Sequence, residues 1–168
     1  MRSVSEEGRA LCRWQGRVFE ESLTGSSSSS AVFIRRYMNS AAAARLDRCA
    51  LAAQTQTAAQ MVDEVEREYG GRPYGRERFA AEELYWIGYI YRYWALALGM
   101  SSRKIGRIIG ANELRGLYLP YHTMDAEQAV ERIMEAKGAD AAERDEIEQG
   151  VALLRQARAE TAQRKKRS

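Results

Sequence analysis

Few residues in this chain are equipped for covalent or acid–base chemistry, and they are scattered. There is one imidazole, His122, and there are two thiols, Cys12 and Cys49, each in a different segment. Zinc sites draw Cys and His from short, regularly spaced pairs, and no such pair occurs. A Cys–His nucleophile would likewise need distant segments to converge. The phosphate-cradling GxxxxGK[ST] loop, the dinucleotide GxGxxG turn and the GxSxG elbow are all absent from the sequence. The sequence therefore points to no catalytic residue, no metal and no cofactor, and both thiols lie in apolar helical patterns typical of core cysteines.

What remains is binding chemistry. Arg92 is the one formal charge between Leu84 and Met100, in otherwise apolar surroundings. A guanidinium there needs a buried carboxylate, or else it is an anion-binding group flanked by Tyr85 and Tyr89. Gly88, one turn earlier, leaves room for its side chain. Arg35 and Arg36 sit beside an apolar helix face. Tyr121 and His122 lie in LYLPYHTMD, between a helix stopped by Pro120 and a capped one. The His122 ring there either hydrogen-bonds a helix end or meets a partner. Arg35, Arg36, Tyr85, Tyr89, Arg92, Tyr121 and His122 are thus the candidates for partner or anion binding.

A second pattern, ALGMSSRKIGRIIGANELRGLY, is similar to the helix-turn-helix consensus: a capped helix, a Gly turn and a further helix. In that reading Arg103, Lys104 and Arg107 meet phosphates, and Asn112, Glu113 and Arg115 reach base edges. Against it, the second helix is about two turns long and Leu114, Leu117 and Tyr118 leave it little polar face.

These residues must be positioned by helices. The organising stretch is Phe79–Met100, where Phe79, Tyr85, Trp86, Tyr89, Tyr91, Tyr93 and Trp94 crowd one segment. Its apolar residues recur at three- and four-residue steps on two adjoining faces, so it reads as a central helix buried in protein. Arg92 and the presence in this stretch of more Tyr than Leu, and more Tyr than Ile, argue against a membrane span. At 168 residues the chain suits one core, its net charge of +3 is mild, and its N-terminus lacks the apolar run of a signal peptide. A cytoplasmic protein is expected.

The remaining helices follow from caps and stops. A first helix is expected over about Val4–Leu23, from Ser3 and Glu6 at capping-box spacing. TGSSSSS, Thr24–Ser30, reads as a flexible connector by composition. Ser30 and Ser40 are expected to cap the next two helices, with a break or bend at Gln54–Thr57 and a stop at Gly70–Gly71. Short helices from Ser101 or Ser102 and from Asn112 come next, then one capped at Thr123 or Asp125, then a last one from Asp140. The expected division is an N-terminal helix at 1–23, a linker at 24–30, a helical core at 31–154 and a basic tail at 155–168.

The segments FIRRYMNS (Phe33–Ser40), ELYWIGYIYRYW (Glu83–Trp94), SSRKI (Ser101–Ile105) and YHTMDAEQAVERI (Tyr121–Ile133) together resemble a group of small bacterial helical proteins, some from loci of toxin–antitoxin character. The resemblance spans about residues 33–134 and carries no catalytic motif. It implies a cytosolic, antitoxin-like protein whose partner is a cognate toxin-like protein. The Ser-rich run, Ala41–Ala44 and the QTQT stretch are unlike the group.

The sequence thus predicts an all-α fold of six to eight helices around 79–100. Its expected function is non-enzymatic protein binding, as the antitoxin component of a bacterial toxin–antitoxin or defence locus. A helix-turn-helix DNA-binding regulator is the alternative, and a small enzyme using Arg92 and the tyrosines on an anionic substrate is the third.

Overall fold

A computed structural model describes residues 2–49 and 55–138, and among these there are helices and no strand. In chain order the helices are α1 (Glu6–Gly25), α2 (Ser30–Asn39), α3 (Ala41–Arg48), α4 (Ala58–Glu68), α5 (Ala81–Leu98), α6 (Ser102–Ile108), α7 (Ala111–Gly116) and α8 (Tyr118–Tyr121). A further helix, α9, covers 126–138. The helix expected from Asp140 and the basic tail lie outside the described residues.

Hydroxyl caps set most of the starts. The side chains of Ser5, Ser29, Ser40, Thr57 and Ser101 accept the backbone N–H three residues on, from Gly8, Val32, Ala43, Gln60 and Lys104. Each satisfies a donor that the first helical turn leaves free. The cap of α1 is Ser5 rather than Ser3, and that of α2 is Ser29 rather than Ser30, so both starts differ slightly from expectation. The described residues within 41–69 hold two helices, α3 and α4, and Thr57 and Gln60 make the reciprocal capping box that starts α4. Gly99 ends α5 at φ 62°, a left-handed conformation in which a side chain is strained.

Residues 1–127 form one compact unit and 128–168 a second. The first unit takes in α1 together with α2–α8. Indeed α1 is the main partner of α5. They cross at paired glycines. A Cβ on Gly88 would stand 2.7 Å from the Gln15 carbonyl oxygen and 3.0 Å from Gly16 Cα, and one on Gly16 would stand 2.9 Å from the Tyr85 carbonyl oxygen. Gly88 thus makes room for the backbone of α1, not for Arg92 as the sequence suggested. Gly88→Ala should lower stability by about 2 kcal/mol, because backbone cannot retreat from an overpacked contact as a side chain can. Its helix-propensity gain of about 1 kcal/mol is too small to offset the clash. Gly116→Ala, with nothing within 4 Å of the added carbon, should show the propensity gain alone in the same urea titration.

Around this crossing the rings of three helices meet. Phe19 of α1 lies edge-on to Phe33 and Tyr37 of α2, at 6.1 and 5.0 Å between centroids, and 6.3 Å from Tyr91 of α5. Such edge-to-face pairs add directional attraction to area burial. On α5, Tyr91, Tyr93 and Trp94 are buried, while Tyr85, Trp86 and Tyr89 are half-buried. The aromatic central helix is therefore a core element with one partly open side.

The Ser-rich run is a buried joint. Ser26, Ser28, Ser29 and Ser30 are each buried, and only Ser27 is exposed. The Ser26 hydroxyl donates to Glu66 Oε1 (2.8 Å) and that of Ser28 to the Arg72 carbonyl (3.2 Å). The Ser30 hydroxyl accepts the Phe79 N–H (3.0 Å). Backbone N–H groups of Ser29 and Ser30 reach the carbonyls of Tyr74 and Glu77. The run thereby fastens the α1–α2 corner to the segment before α5. Composition alone could not distinguish hydroxyls facing water from hydroxyls with fixed partners.

Candidate functional site

Arg92 is 1% exposed and anchors a buried polar cluster. Its Nη1 donates to Asp47 Oδ1 (2.8 Å), its Nε to Gln15 Oε1 (2.8 Å) and its Nη2 to Ser102 Oγ (3.1 Å). Ser102 in turn donates its hydroxyl to Asp47 Oδ1 (2.7 Å) and its backbone N–H to Oδ2 (2.8 Å). Gln15 Oε1 also accepts the Tyr37 hydroxyl (3.0 Å), and Gln15 Nε2 donates to the Gly88 carbonyl (3.0 Å). Side chains from α1, α2, α3, α5 and α6 are thus tied at one point. Burial pushes the Tyr37 phenol up to about 12, so it stays a neutral donor at any ordinary pH. Arg92 therefore pairs with a carboxylate, and the cluster fixes the bundle instead of presenting a cation. Sequence reasoning called for such a carboxylate but had no signal for Asp47, 45 residues away and one among many acids.

Tyr85 and Tyr89 do not flank Arg92. They line a separate small cleft with Arg9, Trp86 and Asp125. His122 is exposed; its Nδ1 lies 3.0 Å from the Tyr118 carbonyl and its ring stacks on Tyr118 at 4.6 Å. That ring locks the α8 turn. Tyr121, beside it, is half-buried. Burial raises the Cys12 thiol to about 12, while Cys49 is exposed. Among the described residues no group of three or more His, Cys, Asp or Glu is placed to hold a metal, and no helix is long and apolar enough to cross a membrane.

The helix-turn-helix candidates divide. Arg103, Lys104 and Arg107 are exposed on α6, and Asn112 is exposed on α7. Arg115 is engaged: it donates to Glu77 Oε1 (2.6 Å) and Glu83 Oε2 (3.0 Å), with its guanidinium 4.3 Å from the Phe79 ring centroid. The hydrogen bond to Glu83 holds the Arg115 pKa above its ordinary value. A guanidinium held this way is not presented to a base edge. With α7 only six residues long and Leu114 buried, that helix offers a major groove little beyond Asn112 and Glu113.

Two clefts meet along α2 and share Arg35 and Asn39. The first, of about 660 Å³, has a floor of Val32, Ile34, Met38 and Tyr91, with Arg35, Arg76, Glu77, Asn112 and Glu113 about its rim. Tyr91 is fixed there by donating its hydroxyl to the Ile109 carbonyl (2.8 Å). The second, of about 420 Å³, is lined by Arg35, Arg36, Asn39, Tyr69 and Tyr74. Arg36 is half-buried and built in. It donates to the Ser28 hydroxyl (2.9 Å) and the Arg72 carbonyl (3.0 Å), and lies over the Tyr69 ring at 5.5 Å. Arg35 is exposed and has no carboxylate partner among the described residues. Tyr69 and Tyr74 were not singled out from the sequence, since one ends an acidic helix and the other lies in a Gly- and Arg-rich loop. Comparisons with protein-family models, with curated proteins and with solved structures find no match to this chain.

Proposed function

We propose that this chain is a non-enzymatic protein-binding module, the antitoxin-like component of a bacterial toxin–antitoxin or defence locus acting in the cytoplasm. In this reading the larger cleft on α2 takes an acidic segment of the cognate protein. The observation that carries it is the cleft's composition: an apolar floor of Val32, Ile34, Met38 and Tyr91, with Arg35 and Arg76 on its rim lacking carboxylate partners among the described residues. A floor of that kind rewards burial of a partner's apolar side chain, while unpaired rim cations select for nearby acids and speed encounter. The sequence resemblance supplies the class of locus.

Co-expression with the product of the adjacent reading frame, followed by titration calorimetry, tests it. Ala31 lines the cleft and is half-buried at the first turn of α2. Ala31→Arg should fill the cleft and weaken the complex by at least about tenfold, a cost of about 1.4 kcal/mol, with the helical spectrum unchanged. An unaffected complex, or no complex with the neighbouring product, defeats the reading. The exposed Lys104 and Arg107 favour a second reading, a duplex DNA regulator. Footprinting on the upstream region decides that one, and with Arg115 engaged by Glu77 and Glu83 no sequence-specific protection is expected.

A further inference from the structure

We infer that the smaller cleft and the adjoining face of α6 bind single-stranded nucleic acid. Tyr74 is the base platform, and Arg35 and Arg103 are the phosphate contacts. Three observations carry this. First, Tyr74 is 67% exposed, with its ring open to a ligand, and it stands in one cleft with Arg35, Arg36 and Asn39. Second, among the described residues no carboxylate lines this cleft, and the nearby Glu66 and Glu68 are held by other donors. Glu66 accepts the Ser26 hydroxyl and faces Arg36 at 3.9 Å, and Glu68 accepts the Ala41 N–H with both oxygens. Arg35 has no carboxylate partner among the described residues, and Arg103 donates only to a neutral acceptor, the Asn39 carbonyl (3.1 Å). Third, that bond joins the cleft to α6, where Lys104 and Arg107 continue the positive charge along an exposed face.

A cationic track beside an aromatic face is what a single strand requires. Phosphates follow the charge, and each unpaired base has a free π-face to stack. A duplex has no such face to offer Tyr74. An acidic peptide would satisfy the arginines but leave the ring exposed. Arg36, held by Ser28, Arg72 and Tyr69, acts as the fixed wall of the cleft and needs little ordering when a ligand arrives.

Fluorescence anisotropy with a labelled oligothymidylate of about twelve nucleotides, added to the full chain, tests the inference. Binding should weaken steeply between about 50 and 200 mM salt, by a slope of roughly 0.7 per phosphate contact. Tyr74→Ala should weaken binding about tenfold and leave that slope unchanged, as loss of one stacked base implies. Arg35→Ser and Arg103→Ser should each reduce the slope by roughly 0.7. These side chains are exposed, so the helical spectrum should survive each change. Ala31→Arg, which adds a cation one turn before Arg35, should not weaken oligonucleotide binding, whereas Tyr74→Ala should spare any protein complex in the larger cleft, so the two readings separate although the clefts share Arg35. No binding at the lower salt, a duplex of equal length binding as tightly, polyglutamate competing equally well, or an unaffected Tyr74→Ala would each overturn it.

Discussion

Arg92→Ala is expected to reduce the unfolding free energy by about 3–5 kcal/mol, the cost of removing one partner from a buried ion pair. The loss has two parts. Asp47, with its side chain 13% exposed, keeps the two Ser102 donors but loses the guanidinium that balanced its charge. The space once filled by the arginine stem also becomes a cavity where α1, α3, α5 and α6 converge. Arg92→Met refills that space, so its loss should be milder, about 2 kcal/mol. Combining Arg92→Met with Asp47→Asn removes the uncompensated charge and should recover part of the remainder. Urea unfolding with an unchanged denaturant slope checks all three variants. Equal and severe losses for Ala and Met would mean that charge, and not packing, dominates the cluster.

The two tryptophans of α5 should separate clearly. Trp94 is 1% exposed, and Trp94→Ala should cost about 3–5 kcal/mol, as truncation of a buried large ring does. Trp86 is half-buried and packs edge-on to Tyr118 at 5.7 Å, so Trp86→Ala should cost only about 1–2 kcal/mol. Helical spacing places both rings on an apolar face, and only the fold separates them. In thermal unfolding the Trp94 variant should fall by about 10 °C and the Trp86 variant by a third of that. Comparable shifts would mean that the face around Tyr85, Trp86 and Tyr89 is covered by something beyond the described residues.

Local features were legible and long-range pairings were not. The α5 helix could be read because its aromatic periodicity is a property of the segment itself, and Ser40 and Ser101 could be read as caps because a cap acts within three residues. The need of Arg92 for a carboxylate was equally local. Its answer was not: Asp47 and Gln15 are 45 and 77 residues away, and nothing in their neighbourhoods marks them among the other acids and amides. Gly88 shows the same limit. A glycine in a helix signals a close approach, but only the fold shows that α1 is what approaches. In the candidate sites, Arg35 could be named from its place beside an apolar face, whereas the clefts it joins exist only once α2, the 72–79 segment and α6 are brought together. Arg115 looked available for DNA because its partners, Glu77 and Glu83, lie more than thirty residues earlier in the chain.

The serine joint carries a last consequence, for how this chain can change over generations. Runs of one repeated residue usually gain and lose copies with little harm, because each copy is equivalent to the next. Here the copies are not equivalent. Ser26 meets Glu66, Ser28 meets Arg36 and the Arg72 carbonyl, Ser29 caps α2, and Ser30 holds the Phe79 N–H. One serine fewer would remove the only exposed copy, Ser27, as slack between the Ser26 and Ser28 anchors and pull α2, with Phe33 and Tyr37, out of register with Phe19. A tract that reads as the most expendable part of the chain is, in length if not in every hydroxyl, among its most constrained.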